Sequence, residues 1–363
     1  MKFLDLGLDE PLLRGELDAA YARVMDSGWV ILGPEVEAFE SEFAAYCGAQ
    51  HCAGVGNGLD AMVLALRAAG VGAGDEVIVP SHTFAATWVA VASVGATIRP
   101  VEVDPSTYTL DPAAVAAAIG PRTRVILPVS LYGHPADMGR IMALADRHGL
   151  FVLEDAAQGH GSEFQARRAG SIAHATAFSF YPTKNLGAIG DAGAVVCNDA
   201  ALDAKVRMLR NYGARTKYEH EVVGYNSRLD ELQAAFLRVQ LKRLDSSTEA
   251  RRALARTYSA SLAGAPVVTP SEASWARHVY HLYVVRSPRR DDLRSHLQSR
   301  QVETLIHYPT PCHLQPAFAT LGYGPGSFPI AEQLAQDVLS LPLRPALGAD
   351  AIDHVVEAVS RFV

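Results

Sequence analysis

The chain has 363 residues, of which 49% are hydrophobic and 20% charged, with a formal net charge of -7. That length buries a sizeable core, either as two domains or as a large α/β unit with a smaller appendage, and the composition excludes disordered and fibrous classes. The negative balance excludes a general nucleic-acid binder, yet it does not govern individual sites, and Arg215 and Lys217 could still meet a phosphorylated substrate.

From Glu10 to Met25, Leu13, Leu17, Ala20, Tyr21 and Val24 recur at helical spacing; after a Gly28-Trp29 turn, Gly33-Pro34 opens a second helix through Phe39 and Phe43. From His51 the pattern changes. Glu76–Val79, Ile98–Val103, Val125–Val129 and Phe151–Leu153 read as buried strands, separated by helices near Ala61–Ala69, Ala85–Val94, Ala113–Ile119 and Met138–His148. This alternation predicts an α/β protein with a mostly parallel sheet, helices on both faces and catalytic groups at strand ends. Ala175–Phe180 and Ala194–Cys197 extend the sheet and lie close enough in sequence for one of them to run antiparallel. A helix near Ala201–Arg210 and a Gly/Tyr-rich loop to Asn226 follow, then a helix with Leu229, Leu232, Phe236, Val239 and Leu244 on one face. A long connecting helix through Arg256 marks the boundary between a large domain, 1–245, and a linker helix with a small C-terminal α+β domain, 246–363. In the latter, Val279–Val285 and Val302–Ile306 read as strands, and helices start at Asp291 and Asp350.

The four cysteines show no ligand spacing, so neither a metal site nor a disulfide framework is expected. Met1-Lys2-Phe3-Leu4-Asp5 lacks an apolar signal core. The longest apolar stretch, Ala85 to Ile98, is too short and interrupted to span a bilayer, so the expectation is a cytoplasmic protein with no membrane partner.

Three constellations carry chemistry. Gly54-Val-Gly-Asn-Gly-Leu-Asp60 follows a short strand and opens a helix, where glycine lets backbone amides approach a phosphate; a plain tight turn would read the same. A dinucleotide site is excluded, because the acid it needs about twenty residues on precedes the next strand as Asp75 and Glu76. Glu154-Asp155-Ala-Ala-Gln158 follows the strand Phe151–Leu153, and a carboxylate there can hold the protonated nitrogen of a pyridine cofactor or simply cap a helix. In Phe178-Ser-Phe-Tyr-Pro-Thr-Lys184-Asn185, a lysine sits between an aromatic strand and a glycine-rich segment. Desolvation there would depress its pKa and make it a competent amine.

Taken together, the phosphate loop, the aromatic helix start, the Asp with Gln three residues on and the Ser five residues before Lys resemble the DegT/DnrJ/EryC1/StrS family of sugar aminotransferases. The resemblance runs from about Asp5 to the C-terminal helix. It implies the aspartate aminotransferase (type I) fold and pyridoxal 5'-phosphate as cofactor. It further implies that Lys184 carries the cofactor in Schiff-base linkage, Asp155 meets the pyridine nitrogen and Gln158 lies against the ring hydroxyl. Ser179 and the Asn57-Gly58-Leu59 turn would take the phosphate. Phe84 would stack on the ring, a role that Trp88 could share or replace, although core packing explains either aromatic as well. Asn226 would reach the phosphate of the other subunit, implying a homodimer with shared sites.

The segment His307-Tyr308-Pro-Thr-Pro-Cys-His313-Leu-Gln-Pro316 is similar to that of the branch aminating C3 of TDP-linked 3-keto-6-deoxy sugars. The likeness brings His307 and Tyr308 to the sugar, with a polar rim as the plain alternative. Tyr181 and Lys217 could contact sugar hydroxyls and the diphosphate. The implied reaction is a ping-pong transfer from L-glutamate to a dTDP-linked keto sugar. A 4-keto nucleotide-sugar aminotransferase is the alternative; a sugar dehydratase, with His at the lysine, and a non-catalytic member are opposed by Lys184, Asp155, Gln158 and Ser179. The carboxylate-binding arginine of amino-acid transaminases is not evident in the sequence.

Overall fold

A computed structural model describes residues 1–8 and 10–362. Its main sheet uses β1 (His51–Val55), β2 (Glu76–Pro80), β3 (Thr97–Val101), β4 (Thr123–Ile126) and β5 (Phe151–Asp155). After the short β6 (Glu163–Phe164) and β7 (Arg167–Arg168), it is completed by β8 (Ala175–Ser179) and β9 (Gly193–Cys197). The order is β1-β9-β8-β5-β4-β2-β3. β9 is antiparallel to both of its neighbours and every other pair is parallel, so the antiparallel member anticipated between Ala175 and Cys197 is β9.

The central strands are apolar on both faces because helices cover both. Val77 and Val79 of β2 join one core with Met62 and Leu66, while Ile78 between them joins another with Ile141 and Leu144. The helices of this part are α1 (Pro11–Ser27), α2 (Pro34–Cys47), α3 (Gly58–Ala68), α4 (Ala85–Ser93), α5 (Pro112–Ala118), α6 (Met138–His148), α7 (Ala200–Arg210) and α8 (Glu231–Leu241). Glu231 links two of them: its carboxylate accepts the N–H groups of Gly33 and Val36 at 2.7 and 2.9 Å, which lack partners inside α2.

Two expectations need correction. The helix read from Leu229 to Leu244 is interrupted: α8 ends at Leu241 and α9 (Leu244–Ser261) starts after a turn, while Leu229 precedes α8 and packs over Gly54. Val302–Ile306 forms no strand, only a bridge from Leu305 to Ser340. The sheet of that region instead pairs β13 (Tyr283–Arg286) with β14 (Val338–Leu341), the latter unread in the sequence because its short Val-Leu-Ser-Leu run directly follows a helix. Minor strands β10 (Ala214–Thr216) and β11 (Glu219–His220) form a hairpin, and β12 (Ala276–Arg277) pairs with β6. α10 (Arg290–Ser299), α11 (Pro329–Asp337) and α12 (Ala349–Ser360) complete the chain, with Leu293, Leu297, Ile352 and Val355 packed on Tyr283 and Leu339. Among the described residues, no helix is long and apolar enough to cross a membrane.

Candidate active site

The carboxyl ends of β1, β2, β5 and β8 meet at one edge of the sheet, where a cavity of about 660 Å³ opens. At the end of β1, Asn57 caps α3 by accepting the Asp60 N–H at 2.9 Å, leaving the first amides of the helix without intrahelical partners. Gly58 is required by close approach: a Cβ there would lie 2.5 Å from the Cβ of Ser179. The two candidate anion-binding elements, separated by more than a hundred residues, are thus in contact because β9 and β8 follow β1 in the sheet.

Asp155 closes β5 and is buried. Its Oδ2 accepts the Thr87 hydroxyl at 2.9 Å and its Oδ1 the Ala157 N–H at 3.1 Å, which fix the carboxylate. Burial raises its pKa, opposed by those two donors and by Lys184. Strand alternation sends Glu154 the other way, to the Ser130 hydroxyl at 2.7 Å. Beyond β8, the Lys184 backbone N–H donates to Tyr181 O at 2.8 Å and its side chain lines the cavity. Burial lowers its pKa from 10.5 to about 8, with Asp155 pulling in the opposite direction.

Gln158 joins two distant segments. Its Oε1 accepts the Tyr132 N–H at 2.6 Å, and its Nε2 donates to the Tyr308 hydroxyl at 3.0 Å. The Tyr132 hydroxyl bonds His82 Nε2 at 2.8 Å and donates to His307 O, while His307 Nδ1 pairs with Ser340 Oγ at 2.8 Å. The His307–Tyr308 segment is therefore tied both to the large sheet and to β14. Burial, then Lys184, lowers the His307 pKa to about 4.

Phe84 precedes α4 in extended conformation, is half-exposed and lies 5.3 Å from the Tyr308 ring. Trp88 is different. It is fully buried, donates from Nε1 to Pro80 O at 2.9 Å, packs on Phe318 and does not line the cavity. Because Phe84 sits outside the helix, the i, i+4 spacing does not place the two rings on one face.

The cavity wall brings together Asn57, Gly58, Leu59, Phe84, Asp155, Gln158, Ser179, Tyr181, Lys184, His307 and Tyr308 as anticipated. It excludes Lys217 and Asn226. Lys217 is exposed between β10 and β11, over the Tyr218 ring, and Asn226 is exposed and bridged to Asn211. Thr87, Tyr132 and His281 were missed in the sequence; only Thr87 carried a signal, at helical spacing from Thr83, whose hydroxyl it meets at 2.9 Å.

Residues 11–360 match the DegT/DnrJ/EryC1/StrS aminotransferase family. The chain belongs to that family. This aminotransferase is 56% identical to the erythromycin biosynthesis sensory transduction protein EryC1 of Saccharopolyspora erythraea, over 98% of this chain and 97% of that protein. It is 55% identical to the dTDP-3-amino-3,4,6-trideoxy-alpha-D-glucose transaminase of Streptomyces venezuelae, over 99% and 95%. Among solved structures, S. venezuelae DesV in complex with a ketimine intermediate superposes with a TM-score of 0.98 at 55% identity, covering 99% of this chain and 98% of that one. NtdA of Bacillus subtilis with bound cofactor PMP superposes at 0.93 and 31% identity, covering 99% and 84%. The aminotransferase therefore has the fold of a pyridoxal-phosphate-dependent transaminase, and its cavity holds an enclosed amine, a buried carboxylate and an anion-binding helix start.

Proposed function

We propose that this aminotransferase binds pyridoxal 5'-phosphate and moves an amino group from L-glutamate to C3 of a dTDP-linked 3-keto-6-deoxyhexose. The observation that carries the reading is the joint enclosure of Lys184 and Asp155 in one cavity whose rim includes the start of α3. The donor set suits the cofactor: amides of α3 and the Ser179 hydroxyl for a phosphate, a buried carboxylate for a pyridinium, and a lowered-pKa amine for the aldehyde.

When bound, the ring supplies an electron sink. Asp155, oriented by Thr87 and Ala157, would hold the ring nitrogen protonated. Gln158 would meet the ring hydroxyl, and Phe84, beside Tyr308, would stack on the ring. Lys184, whose amine burial makes easier to deprotonate, would hold the cofactor's aldehyde and would move the proton at the donor α-carbon. His307, neutral through burial, and Tyr308 meet the keto sugar, with Tyr181 beside them. Asn226 serves the phosphate from the partner subunit of a homodimer, and Lys217, in the loop before it, meets the substrate diphosphate. The same reading divides the chain into a large domain, 1–245, and a linker helix with small domain, 246–363.

The C3 assignment is supported by the His307–Pro316 segment and by the name of the S. venezuelae transaminase. The protein as purified should absorb near ~420 nm and bleach on adding glutamate, as this cofactor does when converted to its amine form. NMR of the product from TDP-3-keto-6-deoxyhexose should show nitrogen on C3. Activity confined to 4-keto sugars would overturn the assignment.

A further inference from the structure

A second cavity, of about 210 Å³, adjoins the first and shares Thr183, Lys184, His281 and His307 with it. This volume is below the roughly 300–1,000 Å³ of pockets for drug-sized ligands, so it suits a small molecule or a fragment, not a nucleotide sugar. The rest of its wall includes Asp5, Arg251 of α9 and Arg344.

Arg251 is the unusual member. Its Nη1 donates to Leu343 O at 3.0 Å and, more weakly, to Tyr280 O at 3.4 Å and His281 O at 3.5 Å. Nε and Nη2 have no hydrogen-bond partner among the described residues, and no carboxylate pairs with the guanidinium. Burial without a countercharge lowers its pKa to about 10. Arg344 is compensated: it donates to Lys2 O at 3.1 Å and stands 3.8 Å from the Asp5 carboxylate. His281 and His307 are kept neutral by burial. Two guanidinium groups face one carboxylate, so the wall carries an excess positive charge next to the Lys184 amine. A planar guanidinium with two free donors matches a carboxylate in bidentate geometry.

We propose that this cavity seats a carboxylate of the dicarboxylic amino donor on Arg251, leaving the main cavity free for the sugar. The proposal rests on the reading of Lys184 and glutamate given above. It supplies from the linker helix the carboxylate-binding arginine that no sequence motif displays.

The two half-reactions separate its consequences. In stopped-flow measurements on the holoenzyme, R251Q should slow bleaching by glutamate by roughly 10- to 100-fold, the range for a lost hydrogen bond to a charged group. Reaction of the pyridoxamine form with keto sugar should stay within about twofold of the wild type. R251K, which keeps the charge but not the fork, should fall between them. Calorimetric titration of the wild-type holoenzyme with glutarate, which has no amino group to transfer, should show binding that R251Q lacks. Equal slowing of both half-reactions, or glutarate binding unchanged in R251Q and R251K, would overturn the proposal. If R251Q does not fold, R251K and the wild-type titration decide it. Should glutamate fail to bleach the wild type while glutarate binding still depends on Arg251, the donor reading fails and the dicarboxylate site stands.

Discussion

The sheet edge around Asp155 and the hairpin loop around Lys217 contribute to the proposed site in opposite ways. At the edge, two polar groups are buried and held by neighbours in the same chain: Asp155 by Thr87 and Ala157, Gln158 by Tyr132 and Tyr308. In the loop, Lys217 and Asn226 are exposed, and around them Tyr218 and Val223 present 83% and 94% of their surface. That exposure fits a loop that meets a partner subunit, as the proposed homodimer requires. On the proposed reading the edge acts within its own chain and the loop acts on the partner's site, so losses at the edge should be autonomous while losses in the loop should be rescued by a partner.

The largest effect belongs to the edge. Lys184→Ala should lower transamination by at least about 10³-fold and leave the fold intact, because it removes a proton carrier and no core contact. Borohydride reduction of the wild type should label Lys184, and peptide mapping that finds another lysine would refute the assignment. Asp155→Asn should keep the cofactor colour and lose roughly 10²-fold in turnover, since an amide cannot keep the ring nitrogen protonated. Near-normal turnover would remove Asp155 from the mechanism.

The enclosure of Lys184 also sets a pH dependence. Folding lowers its pKa from 10.5 to about 8, so the neutral amine dominates above about pH 8. The rate at which the apoprotein takes up pyridoxal phosphate should rise about tenfold per pH unit below 8 and level off above it. A profile still rising as far as pH 10 would show the amine to be solvated.

The loop is tested by complementation. Asn226→Asp places a carboxylate against the proposed phosphate of the neighbouring site. Mixed with Lys184→Ala under subunit exchange, it should restore about a quarter of wild-type activity, because half the dimers are mixed and each has one intact site. Demonstrated exchange of a crippled Asn226→Asp variant without recovery would assign the loop to its own chain's site.

The smallest effect is expected at Trp88, which contributes packing and a hydrogen bond to Pro80 but no cavity wall. Trp88→Phe should lower stability by about 1–3 kcal/mol in denaturant titration and leave both half-reactions within twofold. A large kinetic loss would return Trp88 to the site.

What the sequence determined by itself were the local patterns: apolar strands between Ala-rich helices, the Gly58 turn, Asp155 and Ser179 at strand ends and Lys184 just beyond one. These follow from periodicities of two and 3.6 residues and from the rule that open α/β sheets expose their chemistry at the carboxyl edge. What only the tertiary structure decided were relations between distant segments. That Gly58 touches Ser179 depends on β9 being inserted between β1 and β8. That Tyr132 and Ser340 hold His307, that Trp88 packs on Phe318, and that Arg251 lines a cavity beside Lys184 depend on packing across more than thirty residues of chain. No local propensity encodes such contacts, because a side chain's direction is set by its own element, and its partner by how the elements pack.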